Sequence, residues 1–418
     1  MTSSNKQWLW LALSIVVSLV SWSYMHRILL PWEQYVNVTR GQMKQQLGDL
    51  YPRWVGTREL LLNRRNPYGA EVSHEIQIGF YGHAIEQTYD RPASEIVDEQ
   101  RFVYPLYVVL LLAPTVHLDF AQLQAWAPVV LALLTAASLW LWMVVIRWRP
   151  PILLVISLSL FVLATPQIAQ GLRLRQFGLL VAFLVALATW CVARQRYVLA
   201  GILLAFSTVK PQMVFLLIAW FLLWSVGDFK ARWRLVAGFA ITMGLLIGAG
   251  EILLPGWPVQ FVHGLNAYRH YFPTTSPLRL LLGDWAGGGL SILIVVGLFA
   301  FAWKNRKASP DSEDFLDTLS FVLIVTTLVL PLLTPYNQVL LLLPSVLLLR
   351  NWQTITRAGR LLFTSLVAWP WIISLVLLLR QPAVQSTSRL PLLPSSLILF
   401  FPFLICGLML VRPQYAVD

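Results

Sequence analysis

Apolar residues gather in long runs rather than alternating with polar ones. Runs long enough to cross a bilayer, or nearly so, lie at 8–30, 122–146, 151–169, 176–193, 197–209, 211–226, 235–255, 289–303, 317–333, 336–349, 361–379 and 391–411. A spanning helix takes about 20 mostly apolar residues. The pattern therefore predicts an all-α polytopic membrane protein of about 12 transmembrane helices, with residues 1–418 forming one integral membrane domain. The stretch Phe102–Pro114 is too short for this, since at about 1.5 Å per residue it reaches only about 20 Å. It is expected to be a re-entrant or short helix over 102–114, the alternative being a tilted thirteenth span. Trp8–Leu30 is too long for a signal-peptide core and has no clear small-residue cleavage site, so it reads as a retained first helix.

Between the runs, Lys and Arg come in short clusters: Arg147 and Arg149, Arg194 and Arg196, Lys230 with Arg232 and Arg234, Lys304 with Arg306 and Lys307, and Arg350 with Arg357 and Arg360. Placing all of them in the cytoplasm puts both termini there too. Residues 33–101 then form a large outer first loop, which holds more than half of the chain's 19 acidic residues. Within it, Leu47–Asn63 has the spacing of an amphipathic helix, with Leu50, Trp54, Leu61 and Leu62 able to lie on the membrane surface. A second outer loop is expected over 255–289.

Composition supports this reading and narrows the function. Charged residues make up 12% of the chain, about half the share usual in soluble domains, while hydrophobic residues make up 57%. A net charge of +12 is of the sign that nucleic acid attracts, but the cations sit in inter-helix clusters, so no nucleic-acid partner is expected. The two cysteines, Cys191 and Cys406, lie inside apolar runs and read as packing residues.

Signatures of soluble catalysis are missing: no His-Glu-x-x-His, no Gly-x-Ser-x-Gly, no phosphate-binding Gly-Lys-Ser/Thr loop and no Cys-x-x-Cys. The acidic group Asp311, Glu313, Asp314 and Asp317 reads as a solvated charge run. No metal site and no cofactor are expected. Ionisable side chains at membrane depth are costly, so each is a functional candidate by default. Arg173, Arg175 and Lys210 all fall at outer helix ends, beside Gln176, where a lipid phosphate would lie. The competing reading is snorkelling of the basic side chains to headgroups. Glu251 reads as a capping residue. His263, Tyr268, Arg269 and His270 of the second loop have the polar and aromatic character of a sugar-binding groove, or are simply solvated.

Several outer-face segments occur together: Asp49-Leu-Tyr-Pro-Arg-Trp-Val-Gly-Thr-Arg-Glu, leading to Asn66-Pro67-Tyr68; Tyr104-Pro105; Arg175-Gln176-Phe-Gly; Val209-Lys210-Pro211; and Thr334-Pro335-Tyr336-Asn337-Gln338. In this order they resemble glycosyltransferase family 87 of the GT-C superfamily. The resemblance implies a GT-C-like fold and a membrane glycosyltransferase with its active site on the extracytoplasmic face of a prokaryotic cytoplasmic membrane. The donor would be a polyprenyl-phosphate sugar, either mannose or another hexose or pentose, and the acceptor a lipid or glycan. By position, Asp49 would be the catalytic carboxylate of the 33–101 loop, with Glu59 and Asp90 as the next candidates.

The implied chemistry suits these residue types. A base must take the acceptor hydroxyl's proton, and partial desolvation strengthens a carboxylate for that task. Cations aimed at the leaving phosphate stabilise the charge that grows there, which assigns Arg175 and Lys210, then Arg173, to the donor phosphate. Because such cations can suffice, a metal is not required. With no second carboxylate placed as a nucleophile, one-step displacement with inversion is expected. Gln176, Tyr104, Tyr336, Asn337 and Gln338 would line the substrate site. The alternative is a transporter or flippase of a lipid-linked anion, in which the cations hold phosphate and Asp49 only caps a helix.

Overall fold

The computed structural model describes residues 3–39, 45–85, 99–271, 275–329, 334–380 and 389–412, the side chains of 3, 4 and 268–271 lying outside that description. Among the described residues every regular element is helical. Six helices are long and apolar enough to cross a membrane: Asn5–Thr39, Phe120–Val145, Phe229–Leu253, Pro277–Lys304, Arg357–Arg380 and the interrupted Leu390–Leu410. A seventh is formed if Ile152–Leu163 and Pro166–Arg173, bent by 69°, count as one span. The protein is an integral membrane protein, but the count of 12 is not reached by these helices.

The shortfall comes from breaks that an apolar run conceals. Pro166 has no N–H to donate to the preceding turn and so starts a new helix, splitting the run 151–169. The run 336–349 divides into a 3-10 stretch, Pro335–Leu341, and the nine-residue helix Leu342–Arg350. Phe177–Ala193, Tyr197–Ser207 and Pro211–Gly227 are apolar but short.

These short helices form the centre of the molecule. Val181, Ala186, Leu204, Val214, Leu217 and Trp224 are buried there, against Phe315, Leu319 and Leu323 of the Glu313–Val329 helix. Phe229–Leu253, Pro277–Lys304 and Arg357–Arg380 stand at the periphery with exposed apolar faces, as lipid-facing helices should. Close backbone approach fixes one inner contact: a Cβ at Gly201 would lie 2.3 Å from the Leu235 carbonyl oxygen, and one at Gly238 would lie 2.6 Å from that of Val198. Any larger residue would force the two helices apart. A 17-residue helix reaches only about 25 Å at 1.5 Å per residue. The ends of the central helices therefore stop inside the protein, and polar side chains collect there.

The loop segment before the second span is folded onto the same centre. Leu50–Asn63 is a helix, as its spacing predicts, but it is not laid on a surface: Leu50, Trp54, Val55 and Leu60 are buried, and only Leu62 of its large apolar residues is exposed. Tyr51 and Trp54 pack on Phe120, and a Cβ at Gly56 would meet the Phe102 ring. Residues 102–114 contribute a five-residue helix, Val108–Leu112, and a 3-10 turn, with Phe102, Leu106, Val108 and Val109 fully enclosed. The helix is too short to cross.

At the end of the bundle where Phe177–Ala193 and Pro211–Gly227 finish, basic side chains meet carboxylates. Arg147 pairs with Asp311 at 2.6 Å, and Arg412 pairs with Glu313 at 2.7 Å and Asp317 at 2.9 Å. The expected solvated acidic run is thus in part a set of buried ties, with Asp317 itself buried. Glu251 accepts from the Gly256 amide at 2.7 Å, in keeping with its capping role.

Candidate functional site

The opposite end gathers polar residues from four distant parts of the chain. Gly48, in a left-handed conformation at φ 72°, turns the chain so that the Asp49 amide donates to the Leu174 carbonyl at 2.9 Å. A Cβ there would lie 3.0 Å from that same oxygen, so glycine serves both the turn and the close approach. Asp49 stands at the N-cap of Leu50–Asn63, yet its carboxylate makes no capping bond. It accepts instead from Gln176 Nε2. A purely capping role for Asp49 is therefore not what its geometry shows.

Gln176 precedes the Phe177–Ala193 helix, and its other amide atom, Oε1, accepts from Lys210 Nζ at 3.2 Å. The amide is oriented by what it touches, its NH2 toward the carboxylate and its oxygen toward the ammonium. Lys210, in the turn before Pro211–Gly227, also donates to Asn337 Oδ1 at 2.9 Å and lies 4.6 Å above the Tyr336 ring. Asn337 is held in this orientation because its Nδ2 donates to Thr334 Oγ1. A Cβ on Gly178 would approach both Lys210 Nζ and Asn337 Oδ1 to 3.4 Å, so this position tolerates little bulk.

Burial pushes the Lys210 ammonium down to about 7, with the charge of Arg53 adding to the drop and that of Asp49 opposing it. The turn and its neighbours supply neutral oxygens and an aromatic face rather than a carboxylate in contact. The positive ends of two helix dipoles, at Phe177 and Pro211, point to the same place. A carboxylate, a bridging amide and a buried ammonium thus stand in one continuous chain of hydrogen bonds. Such a chain can remove a proton at one end and receive an anion at the other.

The remaining sequence-assigned residues divide between this cluster and other work. Tyr104 belongs to the cluster: its hydroxyl receives a hydrogen bond from Arg53, and its ring lies 6.2 Å from that of Phe177. Arg173 is paired with Glu33. Arg175, at φ 53°, closes the Pro166–Arg173 helix and donates to the carbonyls of Arg173 at 2.8 Å and, at longer range, Gln46 and Gln124. Its charge braces the loop that carries Asp49 rather than facing Lys210. Gln338 turns away, donating to the Ile398 carbonyl at 2.9 Å, and with Asn337 it lines a cavity of about 180 Å³ between Pro277, Leu280, Ser395, Ser396, Ile398 and Leu399. His263 is exposed on the Trp257–Tyr271 helix, while the side chains of Tyr268, Arg269 and His270 lie outside the described residues, as does Asp90. Glu59 is tied to Arg65 and Asn63.

Sequence reasoning passed over Arg53. It lies four residues after Asp49, hence on the same helix face. Its guanidinium lies 3.9 Å above the Tyr104 ring and 5.1 Å from that of Phe177, and its charge is felt by Lys210. Only this i, i+4 spacing could have pointed to it.

The fold and this site define a helical membrane protein with a carboxylate and a buried lysine joined through one amide at one end of its bundle. The chain belongs to glycosyltransferase family 87, whose family model matches residues 102–335, more than half of its length. It is a membrane glycosyltransferase. Among curated proteins, none matches the chain. The matched stretch contains Tyr104, Gln176 and Lys210 but begins after Asp49 and Arg53, which the hydrogen bond from Gln176 and the stacking on Tyr104 bring into it.

Proposed function

We propose that this glycosyltransferase moves a sugar from a polyprenyl-phosphate donor to a hydroxyl of a lipid or glycan acceptor. The observation that carries the reading is the chain Asp49, Gln176, Lys210, Asn337. Asp49 takes the proton of the acceptor hydroxyl as its oxygen attacks the anomeric carbon. The bond from that carbon to the phosphate oxygen breaks, its electron pair staying with the phosphate. The donor is a phosphodiester with one negative charge, and the leaving polyprenyl monophosphate gains a second. Lys210 stabilises this new charge more in the transition state than in the bound donor. A single displacement of this kind inverts the anomeric configuration, and it needs no metal.

On this reading the site lies at the extracytoplasmic face of the membrane and both termini lie in the cytoplasm, with the donor and acceptor lipids as the partners. The sugar is mannose or another hexose or pentose. The transporter alternative loses ground to the family membership and to the seating of Asp49, whose carboxylate faces the amide bound to Lys210 rather than the helix N-terminus.

The test is sugar transfer by the purified protein in lipid, offered a panel of polyprenyl-phosphate sugars. Transfer from at least one of them, with inversion at the anomeric carbon, is expected. Transfer only from nucleotide-activated sugars would overturn the donor assignment, and retention of configuration would overturn the single displacement.

A further inference from the structure

We propose that Arg53, rather than Arg173 or Arg175, is the second cation of the donor-phosphate seat and binds the phosphate together with Lys210. The inference rests on the phosphate-donor reading above and adds to it a residue that touches the substrate. Three observations carry it.

First, Arg53 is buried, 4% exposed, and two of its guanidinium nitrogens, Nε and NH1, have no hydrogen-bond partner among the described residues. Among the described residues its one polar side-chain contact is from NH2 to the Tyr104 hydroxyl, a neutral acceptor. Among the described residues no carboxylate lies in ion-pair range of it. A buried guanidinium cannot shed its proton, so unpartnered N–H groups of this kind carry a large desolvation cost unless a ligand meets them.

Second, its neighbourhood holds a like charge. Arg53 disfavours the charged form of Lys210, and Asp49 favours it. An anion entering beside the two cations relieves that repulsion and supplies acceptors to the guanidinium fork, which matches phosphate geometry with two parallel hydrogen bonds. Third, the other two candidates are occupied: Arg173 by Glu33, and Arg175 by backbone carbonyls. Stacking on Tyr104 and Phe177 holds the Arg53 plane in place without using those free nitrogens.

The experiment compares binding of polyprenyl monophosphate, the matching polyprenol and inorganic phosphate to the full-length protein in lipid nanodiscs, for the wild type, Arg53→Gln and Arg53→Lys. Charged hydrogen bonds of this kind correspond to an affinity loss of about 10- to 100-fold when removed. Arg53→Gln is expected to lose that much for the monophosphate and nothing for the polyprenol, with Arg53→Lys falling between. Inorganic phosphate is expected to bind more weakly than the lipid but to show the same dependence, whereas a seat specific for free phosphate would reverse that order and overturn the assignment to the donor. If Arg53→Gln does not give a cooperative melt, Arg53→Lys carries the test alone, with about a 3- to 10-fold loss expected for the monophosphate only. Unchanged monophosphate affinity in the variants, or an equal loss for the polyprenol, overturns the proposal. Arg53-dependent phosphate binding without sugar transfer by the wild type would leave this seat standing and remove the transferase reading of it. Normal transfer with affinities unaffected by Arg53 would do the reverse.

Discussion

Both ends of the helical bundle bury cations, and they treat them differently. At the end away from Asp49, Arg232 donates to the carbonyls of Trp224 at 2.8 Å, Arg306 at 3.0 Å and Ala308 at 3.3 Å while lying 3.7 Å from the Trp224 ring. Arg412 meets two carboxylates. At the Asp49 end, Lys210 is held by two amide oxygens and Arg53 by one hydroxyl. Cations whose task is to join helices are met by carbonyl oxygens or carboxylates. Those at the site are positioned but left short of negative charge, as a seat for an incoming anion should be.

Substitutions at the two ends should therefore separate function from stability. The largest effect is expected for Asp49→Asn, which keeps the size of the side chain and an acceptor for Gln176 but cannot take a proton. Transfer should fall by about 10²- to 10⁴-fold, read as initial rates in proteoliposomes, with the thermal melt unchanged. Lys210→Met should follow, weakening donor affinity about 10- to 100-fold with a smaller change in stability, because the removal of a desolvated charge offsets the loss of a donor to the Gln176 and Asn337 amide oxygens. Arg232→Met should do the opposite. Removing its bonds to the Trp224 and Arg306 carbonyls, while Ala308 keeps the bond from Trp224 Nε1, costs about 2 to 4 kcal/mol, seen as a lower melting temperature, while donor affinity of the folded protein stays as it was.

The pH response sharpens the same contrast. In the free protein the Lys210 ammonium is depressed from 10.5 to about 7, so between those values the unfolded chain holds a proton the folded one has lost. Stability from this group therefore rises as pH climbs through that window. Donor binding runs the other way: the phosphodiester does not titrate there and favours the charged ammonium. Its affinity should decline above about pH 7 with a slope approaching one proton, and Lys210→Met should flatten the profile. The smallest effect is expected for Gly178→Ala, whose methyl would sit 3.3 Å from Met213 Sδ and 3.4 Å from Lys210 Nζ. A small displacement of flexible side-chain ends accommodates it, so donor affinity should change by only a few-fold.

Much of the site could be read in the sequence, because its members are polar residues at the ends of apolar runs. Asp49, Gln176, Lys210 and Asn337 stand out for that reason, though more than 280 residues separate the first from the last. Arg175 stands out equally and is directed elsewhere. Its left-handed backbone makes it the stop of one helix, and its side chain follows that turn to nearby carbonyls. Runs of hydrophobicity report burial or lipid contact but not helix breaks, so 151–169 and 336–349 count as spans until Pro166 and the 3-10 turn at Pro335 are seen. The Leu50–Asn63 helix shows the converse. Its spacing gives the helix, but only tertiary packing shows that Phe102 and Phe120, not lipid, cover its apolar side chains.

On the proposed function, Asp49 and Lys210 are two parts of one site with separate tasks. The most direct measurement is equilibrium binding of the polyprenyl-phosphate sugar, with turnover recorded in parallel, for Asp49→Asn and Lys210→Met. The account predicts that Asp49→Asn binds the donor within a few-fold of the wild type and does not turn it over, while Lys210→Met binds it weakly. Turnover by Asp49→Asn, or donor binding that neither substitution affects, would contradict it.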